Sequence, residues 1–138
     1  MKQKITVQTT VHAPLEKVWE YWNGSEHIPR WAFASDDWAA TAKVNDLREG
    51  GKFSTRMFAK DESSSFDFSG TYTTVIPQSE IAYTLDDDRE VTTVFEKEGD
   101  GAVKIVQTFE MEAGNSEEMQ RGGWQAFLDN FKKYTEAN

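Results

Sequence analysis

The sequence has no cysteine, which excludes disulfides, thiolate nucleophiles and every cysteine-based metal site. The absence suits a reducing compartment. Histidine is nearly as scarce. His12 and His27 are the two, far apart in the chain, and neither has the second His and carboxylate at helical spacing that a metal-binding helix needs. No metal and no cofactor is therefore expected. No apolar run approaches the roughly 18 residues of a membrane-spanning helix, and no signal peptide is evident, so the expected location is the cytoplasm. Basic residues are outnumbered, 15 Lys and Arg against 24 Asp and Glu, for a net charge of −9. Such a surface repels nucleic acid and anionic membranes, and neither is an expected partner. Aromatic residues are what the chain does have: five Trp, nine Phe and four Tyr. They imply either a core of large rings or a cavity lined by them. The 138 residues suit one domain, 1–138, burying about two thirds of its unfolded surface.

The dominant stretch is the last one. Asn115 followed by Glu118 has the spacing of a capping box. Met119, Gly123, Ala126, Phe127, Asn130, Phe131 and Tyr134 then recur at three and four, one face of a helix from Asn115 to about Thr135. Trp124 and Leu128 widen that face, and Lys132 and Lys133 suit its last turn. Ahead of it, Lys4 to Val11 alternates as a strand. Pro14 opens a short helix carrying Leu15, Val18, Trp19 and Trp22, stopped by Asn23-Gly24. A second short helix runs from Ser25 to Trp31, with Pro29 in its first turn. Ala32 to Ala40 has no clean period and reads as an ordered loop. About six strands follow, from Ala42 to Met111, separated by turns too short for parallel neighbours, so the sheet is antiparallel.

No catalytic constellation stands out. Gly50-Gly51 reads as a turn. Gly122-Gly123, inside the helix, reads as close approach to the sheet or room for a ligand. Asp86-Asp87-Asp88 lacks the Gly and distal Glu of a calcium loop. The strand faces aimed at the helix each carry one polar residue among apolar ones: Thr55, Thr74, Thr93 and Gln107. Buried hydroxyls and amides need partners, so four on one inner face imply a cavity holding water or a ligand.

The stretches APLEKVWEYW and HIPRWAFASDDW, DLREGGKFSTRM, FDFSGTYTTVIPQSEIAYTL and RGGWQAFLDNFKKY, in that order, resemble the SRPBCC (START-like, helix-grip) superfamily. Within it they are most similar to the family of activator of heat-shock protein 90 ATPase homologues. Glu62 and Asp88 depart from that resemblance, standing where a turn glycine is usual. The resemblance implies an α+β helix-grip fold: a curved antiparallel sheet of about seven strands wrapped around a long C-terminal helix, with two short helices after the first strand. It also implies a small apolar or aromatic molecule held between sheet and helix, by a monomer or homodimer. The expected lining is Trp31, Phe33 and Trp38 near the entrance, Phe53, Met57, Phe66 and Phe68 from strands, and Trp124 and Phe127 from the helix. Thr55, Thr93 and Gln107 would orient a polar group on that molecule. Two alternatives stay open. One is an interaction module acting on a chaperone ATPase. The other is a cyclase- or hydratase-like enzyme in which Asp36, Asp67 or His27 faces the cavity.

Overall fold

The alternating stretches become seven strands in the computed structural model, which describes residues 3–33, 35–112, 114 and 116–138. Strand β1 (Lys4–Val11) leads into helices α1 (Leu15–Asn23) and α2 (Ile28–Trp31). Strands β2 (Trp38–Asn45), β3 (Lys52–Ala59), β4 (Ser65–Ile76), β5 (Glu80–Leu85), β6 (Glu90–Lys97) and β7 (Val103–Glu110) follow, then helix α3 (Glu117–Ala137). All seven strands form one antiparallel sheet in the order β1-β7-β6-β5-β4-β3-β2, curled around α3. Its concave face carries the core: Ile5, Val11, Ile81, Val91, Val103, Ile105 and Phe109, covered by Leu128 and Phe131 of α3.

Three details differ from the sequence reading, each for a local reason. Trp38, Ala39 and Ala40 belong to β2 rather than to a loop, because they pair with Ala59, Phe58 and Met57. The face of β4 does not alternate to its end. The register shifts between Tyr72 and Thr74, and the extra residue of that bulge reverses every side chain after it. Thr74 consequently pairs with Ala82 and leaves the inner face, while Ile76 is 48% exposed. Finally, α3 is rotated from its expected setting. Gln120, Leu128, Phe131 and Thr135 are its buried residues, whereas Met119 is 72% exposed. The expected cap, Asn115, lies outside the described residues. Ser116 caps instead, its side chain accepting from the Met119 N–H at 3.1 Å, with Glu117 and Glu118 in the first turn. The last turn carries no basic residue, since the helix runs on past Lys132 and Lys133.

Gly122 and Gly123 do not mark close packing: a Cβ at either position would meet nothing within 4 Å. Glu62 and Asp88 do adopt left-handed backbone, with φ of 65° and 72°, a region that disfavours side chains and explains the usual glycine there.

Helix α3 runs beside the free edge of β1. Arg121 donates to the Thr6 carbonyl at 2.9 Å, Gln125 to that of Gln8 at 3.1 Å and Lys132 to that of Thr10 at 2.6 Å. Four helix residues advance about 6 Å and two strand residues about 6.6 Å, so the two ladders stay in step from Thr6 to Gln8. At the far end the His12 N–H donates to Glu136 at 2.7 Å. That bond, then Lys132, holds the Glu136 carboxyl below the usual carboxylate range. A strand edge that would otherwise be bare is thus hydrogen-bonded by helix side chains.

Candidate functional site

With α3 drawn to the β1 side, the opposite half of the concave sheet is left to the short helix α2, which packs against β2. Large rings keep α3 and the sheet apart. Trp124 of α3 lies flat on Phe109, with centroids 4.1 Å apart and planes 11° from parallel. Farther along, Phe131 meets Trp22 and Trp31 edge-on at 4.9 and 5.0 Å. Between these two supports is a cavity of about 250 Å³.

Its floor comes from alternate residues of neighbouring strands, as the period of two requires. Phe53, Thr55 and Met57 come from β3, Phe66, Phe68 and Tyr72 from β4, Ile81 and Tyr83 from β5, and Gln107 from β7. Trp124 and Phe127 form the roof, and Trp22, Ile28, Trp31 and Ala32 close one end. Phe53 packs against Tyr72, Tyr83 and Phe68 with centroids 5.1, 4.8 and 5.9 Å away, so much of the floor is a continuous patch of rings. Tilted and edge-on ring contacts of this kind add to the stability of simple burial.

The polar groups are few and mostly engaged with one another. Tyr72 donates its phenol to the Asn45 side-chain oxygen, and Asn45 donates to the Asn23 carbonyl at 2.8 Å. Gln107 donates to Thr93 Oγ1 at 3.0 Å. Arg89, after the acidic turn, has its Nε on Asp87 at 2.8 Å. Burial pushes the Tyr83 phenol far above the usual tyrosine range, with Tyr72 adding to the shift and Arg89 opposing it. Burial likewise raises Tyr72. Both remain protonated, and so remain donors, well beyond neutral pH.

Nine of the twelve expected residues meet here: Trp31, Phe53, Thr55, Met57, Phe66, Phe68, Gln107, Trp124 and Phe127. Phe33 and Trp38 do not. They line a second hollow of about 220 Å³ that shares Met57, Phe66 and Phe127 with the first. The Phe33 carbonyl is held there by the Asn130 amide. Thr93 is not on the wall either; it is fully buried behind Gln107, serving as its acceptor. The enzyme-like candidates lie elsewhere. Asp36 and Asp67 are exposed, and Asp67 pairs with Lys43 at 3.4 Å. His27 is bonded to the Tyr134 hydroxyl at 2.7 Å and stacked on Tyr21 at 4.0 Å. Sequence reasoning missed Tyr72, Tyr83, Asn45 and Arg89. The signal for the first two was present, since they fall in phase with Phe68 and Ile81 and pair with each other across β4 and β5.

The chain matches the family described as "Activator of Hsp90 ATPase homolog 1-like protein" over residues 12–136. No curated protein matches it significantly. Among solved structures it is similar to the AHSA1-like protein from Aeromonas hydrophila, with 41% identity and a TM-score of 0.90 over 98% of this chain and 93% of that one. It is also similar to Chr148 from Cytophaga hutchinsonii, with 50% identity and a TM-score of 0.84 over 98% and 93%. Protein CV1439 from Chromobacterium violaceum, at 21% identity and a TM-score of 0.87 over 99% of each chain, shares the fold.

Proposed function

Because the chain belongs to the Activator of Hsp90 ATPase homolog 1-like family, whose fold commonly holds ligands, we propose that it binds a small apolar or aromatic molecule between its sheet and α3. The observation that carries this reading is the cavity of about 250 Å³ itself, walled by rings and open between two aromatic supports. A solid core would not leave such a space, because interiors otherwise pack as densely as organic crystals. Its makeup, mostly apolar walls with a few placed polar groups, is that of a small-molecule site. Thr55 and Gln107 are the expected orienting groups, with Thr93 setting the position of Gln107 from behind. Phe33 and Trp38 act at the neighbouring hollow, where an entering molecule would first meet apolar surface.

The test is titration with N-phenyl-1-naphthylamine, a neutral apolar fluorophore. A dissociation constant in the micromolar range is expected, about −8 kcal/mol, together with quenching of tryptophan emission through Trp124 and Trp31. Thr55→Phe, which places a ring in the cavity, should abolish binding while leaving the melting temperature unchanged or raised. Full binding by a folded Thr55→Phe protein would show that the dye sits elsewhere.

A further inference from the structure

The lining also specifies the polar group that the bound molecule carries, an inference that rests on the binding role just proposed. Two neutral side chains that line the cavity carry hydroxyls with no described protein partner, Thr55 and Tyr83, and a third, Gln107, has one amide hydrogen bond, to Thr93. Among the described residues, the one enclosed side-chain polar atom without a partner is Thr135 Oγ1, so the unpartnered Thr55 and Tyr83 oxygens are not sealed in. Arg89 lines it as well and bonds Asp87 through Nε, its terminal amines having no hydrogen-bond partner among the described residues. Each of these groups has a proton to give. Tyr83 keeps its own because burial holds the phenol far above the usual range.

Charge decides what should accept those protons. Asp87 already neutralises Arg89, and Asp86 adjoins Asp87 on the same exposed turn. An incoming carboxylate would find Arg89 already matched by Asp87 and would lose its hydration on entering an apolar space. A carbonyl oxygen accepts the same hydrogen bonds without that penalty. A cavity of about 250 Å³ also lies at the small end of ligand sites, which suits a compact aromatic molecule.

We propose that the cavity prefers a small planar molecule bearing a neutral acceptor, a ketone-type carbonyl, over both its hydrocarbon and its carboxylate counterparts, and that Tyr83 and Thr55 read that oxygen.

Three probes sharing one naphthalene ring separate the possibilities: 2-acetylnaphthalene, 2-ethylnaphthalene and 2-naphthoate, each titrated calorimetrically near pH 7.5. The ketone should bind at least about tenfold more tightly than the ethyl compound, the expected worth of a hydrogen bond in a dry site. The naphthoate should bind most weakly. Tyr83→Phe should bring the ketone to within about threefold of the ethyl compound, with the latter unchanged. Thr55→Val gives the same readout through a second donor, should Tyr83→Phe fail to fold. Equal binding of ketone and ethyl compound would overturn the inference while leaving the binding role intact. So would a naphthoate that binds best, which would make this an anion site. If none of the three binds, the proposed binding role falls, and this inference with it.

Discussion

Thr135 is fully buried near the end of α3, and its hydroxyl has no partner. An enclosed, unsatisfied hydroxyl costs about 1–3 kcal/mol in desolvation, and valine has nearly the same shape and helix propensity. Thr135→Val should therefore stabilise the protein by about 1 kcal/mol in urea denaturation. A loss of stability would reveal a partner for the hydroxyl, such as a trapped water. Gln107 and Thr93 present the opposite case. Both could be picked out in the sequence as polar residues on an apolar face, and the structure gives them one shared hydrogen bond at 3.0 Å. What the sequence could not say is which of the two faces the cavity. That depends on side-chain reach: the longer amide of Gln107 extends past the Thr93 hydroxyl and covers it.

At the scale of elements, the open surroundings of Gly122 and Gly123 make a direct prediction. Glycine inside a helix is less stable than alanine by about 0.5–1 kcal/mol, and a methyl group at either position meets nothing within 4 Å. Gly122→Ala and Gly123→Ala should each raise stability by about that amount. A destabilised variant would mean that α3 sits closer to the rest of the molecule than the structure places it. These helix and strand elements were largely legible, because periods of 3.6 and 2 survive in any well-packed face. Two features were not. The bulge in β4 follows from one unpaired residue that carries no compositional mark, and it removed Thr74 from the inner face. The setting of α3 follows from its attachment to β1. Gln120 is buried because its amide exchanges two hydrogen bonds with the Glu112 backbone, at 2.8 and 2.9 Å, and Met119 is turned outward. A polar residue that outcompetes a methionine for burial defeats hydropathy patterning.

For the whole molecule, the two raised phenols link stability to pH. Tyr72 and Tyr83 stay protonated in the folded protein above the ordinary tyrosine value of about 10, where the unfolded chain releases its protons. The folded state then binds more protons than the unfolded one, so stability declines as pH rises past that point, by at most about 1.4 kcal/mol per pH unit for each tyrosine. Below about pH 9 these two groups contribute no slope. Urea midpoints at pH 8, 10 and 11 should show the fall, and Tyr83→Phe should make it shallower. An unchanged slope in that variant would place the titration in other groups.

The attachment of α3 to β1 sets the order of events when the chain is made. Thr6, Gln8 and Thr10 leave the ribosome well before their partners Arg121, Gln125 and Lys132. At about 5–20 residues per second, roughly 6–25 s separate the two. During that interval the β1 edge waits for its cover, and once β7 is made the concave sheet has no roof until α3 follows, both of them surfaces that invite association with other chains. A stop codon or protease cut that removes α3 therefore takes away the edge cover and the cavity roof together.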